Sequence, residues 1–121
     1  MDAHYTIETE PARDLVRITL SGFFSSGDVG RFNAERIAAY AAFGPAIKRH
    51  VTLCDVRALK IQPQEVVAAF AELAGDPRYI SRRLAVVTGA SLAKTQTKRA
   101  TERDSVAYFS NTAEAEAWLL S

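Results

Sequence analysis

Thr88-Gly89-Ala90-Ser91 stands between an apolar run, Leu84 to Val87, and a polar stretch with helical spacing. A hydroxyl and a glycine at a strand-to-helix turn are the opening of a phosphate-binding loop. The rest of such a loop is missing. The next residues are Leu92-Ala93-Lys94, with no further glycine, and Lys94 lies one position short of the P-loop spacing. Nucleotide hydrolysis is therefore not expected, and Thr88 or Ser91 as a helix cap is the simpler role. Free amides at a helix start still favour an anion. Lys94, Lys98 and Arg99 follow within two turns, and Lys94 and Lys98 share a face. Such a patch suits a phosphate, a lipid headgroup or an acidic protein surface. An ordinary solvated helix face would carry the same residues.

Asp55 lies towards the carboxyl end of an apolar strand, His50 to Val56. Thr88 and Ser110 or Asn111 stand at similar points of later strands. In an open α/β sheet, the crevice beyond such ends is the usual ligand position. As a general base, Asp55 would need a partner and a pocket. Otherwise it accepts loop amides, as Asp commonly does. His4 and His50 are far apart, and Cys54 is the only cysteine. Neither a metal set nor an internal disulfide is expected, and no cofactor is implied. Asp2-Ala3-His4 lacks the free Asp amine that an amino-terminal copper site needs. Cys54 alternates into its strand and is expected to be buried and inert. No Ser-His-Asp arrangement emerges, so no catalytic residue is assigned and an enzyme is not expected.

The elements that position these residues follow from periodicity. Tyr5 to Thr9 and Val16 to Leu20 alternate as half-buried strands, with Pro11 to Asp14 as the turn between them. Ser25 or Ser26 caps a helix in which Val29, Phe32, Ile37 and Tyr40 form the apolar stripe, stopped by Gly44-Pro45. His50 to Val56 is the third strand. Pro63 suits the first turn of a second helix carrying Val66, Val67, Phe70 and Leu73, ended by Gly75-Asp76-Pro77. Leu84 to Val87 reads as a central strand covered on both faces. A polar helix from Ser91 to Arg99 and a strand from Val106 to Phe109 follow. Asn111 and Glu114 have the spacing of a capping box before a helix that buries Trp118 and Leu119. Phe23-Phe24 point to opposite faces, so one of them could be partly exposed at a ligand entrance or a dimer contact, but packing of both against the first helix is the simpler expectation. The order β-β-α-β-α-β-α-β-α implies an α/β fold, a mixed five-stranded sheet with about four helices, in one domain spanning residues 1–121.

The opening hairpin with Gly22-Phe23-Phe24 and Asp28-Val29, the strand Val51-Thr52-Leu53-Cys54-Asp55-Val56, and above all the carboxyl-terminal half carry a family pattern. In that half, Arg83-Leu84-Ala85-Val86-Val87 leads to a basic helix, then to Val106-Ala107-Tyr108-Phe109, then to Ala113-Glu114-Ala115-Glu116-Ala117-Trp118-Leu119. The chain resembles the SpoIIAA-like family, a branch of the STAS fold that is also compared with CRAL-TRIO lipid-binding domains. The resemblance covers nearly the whole chain, and its motifs are structural. STAS antagonists of anti-sigma factors carry a phosphorylated serine at the start of the second helix. The matching stretch here, Lys60-Ile61-Gln62-Pro63-Gln64-Glu65, has no serine or threonine. The resemblance therefore implies a STAS-like interaction module without that switch.

Composition narrows the partner classes. The 121 residues are 48% hydrophobic and 24% charged, with a net charge of +1. Residues 78–103 hold 7 basic side chains against Glu102 alone, while the segments on either side are mildly acidic. Tyr79 is the only aromatic in the basic block, which argues against nucleic acid. No apolar run approaches a membrane span, and Met1-Asp2-Ala3-His4 does not open a secretory signal, so a cytoplasmic location is expected. Two functions remain. One is a non-enzymatic regulatory module that binds a partner protein through the second and third helices and their preceding loops. The other is a carrier or sensor of a small anionic or amphipathic, lipid-like ligand, in an apolar cavity opening beside Lys94 and Lys98. The residues expected to serve one or the other are Thr88, Gly89, Ser91, Lys94, Lys98, Arg99, Asp55, Gln62 and Gln64. A homodimer is an open alternative that no stretch of the sequence decides.

Overall fold

The computed structural model describes residues 2–89 and 92–121. Strands β1 (His4–Glu10) and β2 (Leu15–Gly22) form the expected hairpin. Pro11–Arg13 makes one tight helical turn, and Asp14 closes it at φ 50°, a left-handed conformation that a short polar side chain tolerates. Helix α1 (Ser26–Ala39) opens on a complete capping box. Ser25 Oγ accepts from the Asp28 N–H at 3.1 Å, and the Asp28 carboxylate accepts from the Ser25 N–H at 2.8 Å. The chain leaves α1 through tight helical turns over Tyr40–Ala46, broken at Gly44, where φ is 51°.

Strand β3 (Val51–Leu59), α2 (Gln64–Ala74), β4 (Arg83–Val87), α3 (Leu92–Thr101), β5 (Val106–Phe109) and α4 (Thr112–Leu119) complete the expected order. Three local expectations are corrected. β3 continues past Val56, because after a bulge it pairs with β2 again at Ser21–Ala58 and Gly22–Leu59. Pro63 is the cap of α2 and not its first helical residue, since its carbonyl accepts from the Val66 and Val67 N–H groups. Only half of the second capping box forms. Asn111 Oδ1 accepts from the Glu114 N–H at 2.9 Å, and no return bond exists among the described residues.

The strands lie in the order β1-β2-β3-β4-β5, the first pair antiparallel and the others parallel. Each crossover steps to the next strand in the same direction. Crossovers of one hand therefore carry α1, α2 and α3 to one face of the sheet. α4 follows the last strand, is free of that rule, and covers the other face.

Strand alternation divides the apolar residues between the two faces. Leu15, Val51, Leu53, Ala85 and Val87 meet Ala115 and Leu119 of α4, and all are 3% exposed or less. Trp118 is only half-buried and lies under the Arg83 guanidinium, 5.1 Å from its ring centre. Glu116 of α4 pairs with Arg13 at 2.7 Å and Arg17 at 2.8 Å, which ties the helix to the hairpin. On the opposite face, Val16, Ile18, Leu20, Val56 and Val86 meet Val29, Phe32, Tyr40 and Val66. The buried stripe of α1 is Val29, Phe32, Arg36 and Tyr40. Ile37, expected there, is half-buried, and a charged residue takes its place.

Candidate functional site

The face covered by three helices is not filled. A cavity of about 120 Å³ lies between the sheet and α1, α2 and α3. Among the described side chains of α3, those on the cavity wall are Gln96, Thr97, Ala100 and Thr101, which are small or polar. A polar clasp ties α3 to the start of α2. Gln96 Oε1 accepts from the Gln62 N–H at 2.8 Å, and Gln96 Nε2 donates to the Gln62 carbonyl at 2.9 Å. Phe70 and Leu73 of α2 and Val86 of β4 are left facing space.

Arg36, Lys60 and Arg103 also line the cavity, and among the described residues no carboxylate does. Arg36 is 8% exposed. Its Nη2 donates to Asn33 Oδ1 at 3.0 Å and more weakly to the Leu73 carbonyl at 3.5 Å. Its Nε is buried without a partner among the described residues. Arg103 donates to the Ala74 carbonyl at 3.1 Å and to Ser105 Oγ at 2.9 Å, and burial lowers its pKa. Both arginines thus hold the carboxyl end of α2, where the helix dipole is negative. That explains their carbonyl contacts and leaves the Arg36 Nε unexplained.

At one edge of the cavity, Ser81 Oγ lies 2.6 Å from Thr52 Oγ1 and 3.4 Å from His50 Nε2. His50 is fully buried. Tyr40 and Phe43 pack on its ring, with centroids at 4.9 and 5.7 Å. Its Nδ1 accepts from the Lys48 N–H at 3.1 Å. In the neutral ring this puts the proton on Nε2, the atom that faces Ser81. A general base toward Ser81 would need the opposite tautomer. His50 therefore donates to Ser81, and the pair is a structural link. Burial lowers the His50 pKa and the Arg36 charge adds to the effect, which keeps the ring neutral. Cys54, on the cavity wall, has its thiol pushed up to about 12 by burial, so it is a poor nucleophile. Among the described residues, no group of three His, Cys, Asp or Glu could hold a metal ion.

The residues singled out in the sequence occupy several separate places. Asp55 sits mid-strand beside the bulge, where both its oxygens are taken by the Arg57 guanidinium, at 3.0 and 2.7 Å, and Oδ1 also accepts the Arg57 N–H. That hydrogen bonding lowers its pKa and leaves it no base function. Thr88 is buried, donating its hydroxyl to the Gly89 carbonyl at 3.1 Å and its N–H to the Phe109 carbonyl at 2.9 Å. A Cβ on Gly89 would meet nothing within 4 Å, so no close backbone approach requires glycine there. Ser91 lies outside the described residues. Lys98 and Arg99 are exposed, Lys94 is half-exposed, and Lys98 Nζ sits 5.2 Å from the Tyr108 ring centre. None of these three lines the cavity. The strand order also reverses nowhere, so the sheet has no switch-point crevice to gather Asp55 and Thr88.

Gln62 is buried and works as a staple. Its Oε1 accepts from the Phe24 N–H at 2.8 Å, and its Nε2 donates to the Gly22 carbonyl at 2.9 Å and the Lys60 carbonyl at 2.6 Å. Gln64 is exposed, with Pro63 and Glu65. Phe23 and Ile61, each 49% exposed, flank this staple at the carboxyl ends of β2 and β3, while Phe24 is buried. Sequence reasoning missed Arg36. The signal for Arg36 was present: it stands seven residues after Val29, where the stripe of α1 calls for an apolar side chain.

No protein-family model and no curated protein matches the sequence. Solved structures do match in shape. One is an uncharacterised protein of the DUF3478 family with a SpoIIAA-like fold from Shewanella loihica PV-4. It is 18% identical, with a TM-score of 0.74 over 98% of this chain and 96% of that one. Another is an anti-sigma factor antagonist from Mycobacterium paratuberculosis, 11% identical, with a TM-score of 0.63 over 99% of this chain and 96% of that one. The chain has the SpoIIAA-like fold over nearly its whole length. No helix among the described residues is long and apolar enough to cross a membrane.

Proposed function

We propose that the chain is a non-enzymatic regulatory module of the STAS-like type, which docks a partner protein where β2 and β3 lead into α1 and α2. The observation that carries this reading is the pair of half-exposed apolar side chains, Phe23 and Ile61, framed by the buried Gln62 staple. Rigid apolar anchors beside exposed polar residues suit a protein contact, because little side-chain and loop entropy is lost on docking. Gln64 and Glu65 supply the polar rim, and Lys94, Lys98 and Arg99 of α3 supply a charged flank. The fold similarity to an anti-sigma factor antagonist supports a protein as the occupant. Residues 60–65 offer no hydroxyl, so docking proceeds without a phosphoserine switch there.

Native mass spectrometry on the tagged chain, purified gently from its source organism, tests this. A stoichiometric protein companion is expected with the wild type and with Leu120→Arg, a control at the other exposed apolar position. Ile61→Arg is expected to lose it. Retention of the companion by Ile61→Arg would move the contact elsewhere and overturn the reading. The carrier reading draws on a separate part of the molecule, the cavity around Arg36.

A further inference from the structure

We propose that β1 is an interaction surface for a second copy of this chain, and that two copies join antiparallel along it, about a two-fold axis at Ile7, into one continuous sheet. This does not rest on the docking surface at Ile61, which follows β3, two strands inward. The strand order leaves two edges. The β5 edge offers four residues, Val106–Phe109. The β1 edge offers seven, His4–Glu10, paired with β2 residue by residue without a bulge. Among the described residues, the backbone of β1 bonds to β2 alone. Edge strands are ordinarily blunted by shortness, bulges, proline or charge, because their free N–H and C=O groups pair with another chain. β1 is long, regular and free of proline and lysine. Tyr5, Thr6, Ile7 and Thr9 are the aromatic and β-branched types that suit a strand. Its charges, Glu8 and Glu10, set the register of pairing instead of forbidding it.

Charge complementarity selects both the occupant and that register. A two-fold interface presents the same surface twice, so the strand must complement itself. With Ile7 facing Ile7 of the second copy, Thr6 faces Glu8 and His4 faces Glu10, each twice by symmetry. The Thr6 hydroxyl and the His4 imidazole N–H donate, and the carboxylates accept. His4, Thr6 and Glu8 are exposed on one face of β1 and hold no hydrogen bond or ion pair among the described residues. Glu10 is held by Arg13 and Arg17, one through each oxygen, and each oxygen keeps a further lone pair. On the other face, Tyr5 meets Thr9 and Ile7 meets its own copy, aromatic and β-branched neighbours of the kind that stabilise a cross-strand pair. Tyr5 and Ile7 pack on the core there and remain half-buried. Other registers fail. A shift of two residues one way opposes Glu8 to Glu8, and the other way opposes Asp2 to Glu10. A one-residue slip turns one copy over and sets Ile7 against Thr6 or Glu8.

Sedimentation equilibrium on the full chain, from about 10 µM to about 1 mM, tests this, since so small an interface gives a weak dimer. A concentration-dependent dimer is expected, with amide exchange across His4–Glu10 slowing as it forms. Thr6→Glu, which sets a second carboxylate against Glu8, is expected to weaken the dimer about tenfold, and Thr6→Lys to tighten it about threefold. Adding Glu8→Lys to Thr6→Glu restores opposite charges in this register alone, and is expected to recover the wild-type affinity to within about threefold. The amide spectrum of each variant at low concentration checks the fold. A monomer throughout the range would overturn the proposal. A dimer indifferent to the charge at position 6 would place the contact elsewhere and overturn it as well. Weakening by both Thr6→Glu and Thr6→Lys, or no recovery in the folded double variant, would overturn the axis at Ile7.

Discussion

The two faces of the sheet are built from the same strands and end in opposite states. Against α4, Leu15, Val51, Ala85, Val87 and Leu119 are all but sealed from solvent, and Glu116 fastens the helix through Arg13 and Arg17. Against α1, α2 and α3, a cavity lies under the helices, an arginine occupies a buried position, and a polar clasp between Gln96 and Gln62 ties α3 to the start of α2. Close packing near the density of an organic crystal is the ordinary outcome for an interior. One face buries its apolar residues to 3% exposure or less under a single short helix. The other has three helices over it and a cavity between them and the sheet.

Truncation should separate the faces most sharply. Leu119→Ala opens a hole in the sealed face and is expected to cost about 4 kcal/mol in urea unfolding. Leu73→Ala, on the cavity wall, is expected to cost about 1.5 kcal/mol, because part of its surface already faces space. Equal costs would erase the distinction. The Gln62 staple comes next. Gln62→Ala leaves the buried Phe24 N–H and Gly22 carbonyl without the staple's bonds and is expected to cost about 3 kcal/mol, whereas exposed Gln64→Ala should stay within about 0.5 kcal/mol.

A smaller effect concerns pH. Burial lowers the His50 pKa from its ordinary value of 6.5, so the unfolded chain takes up a proton that the folded chain resists. The associated stability is complete above about pH 6.5 and declines as the pH falls through the folded value. Melting temperatures taken from about pH 7.5 down to about pH 5 should fall, and His50→Gln should flatten that slope. An unchanged slope in the variant would assign the titration elsewhere. The smallest stability effect should come from the triple reversal of Lys94, Lys98 and Arg99 to glutamate. It is expected to shift stability by about 0.5 kcal/mol or less while weakening capture of an acidic partner. Undiminished capture would remove this flank from the docking surface.

Most of the fold was legible in the residues, for local reasons. Alternation marked β1 and β2, and Ser25 and Asp28 marked the start of α1, whereas its end at Ala39 comes before the Gly44-Pro45 stop signal. These signals act within a few residues and survive in any tertiary context. Boundaries that depend on another strand were less legible. β3 runs on to Leu59 because β2 lies beside it to resume pairing after the bulge. The candidate sites followed the same division. The sequence favoured packing of both Phe23 and Phe24 against α1, and only the structure separates the exposed Phe23 from the buried Phe24. Gln62 gave no sign of burial, since its partners at Gly22, Phe24 and Gln96 are distant in sequence.

By itself, the sequence determined the order of elements, the caps that start α1 and α4, the absence of a phosphate-loop motif and the absence of a serine at the start of α2. Each is set by residue type and short spacing. Only the tertiary structure decided that three helices share one face, because handed crossovers follow the spatial order of the strands. It also decided that the neutral His50 ring directs its proton at Ser81, and that Arg36 is buried beside Tyr40 with its Nε–H unpartnered among the described residues. Those outcomes depend on which side chains meet across the sheet, and a burial cost exists only once the walls are in place.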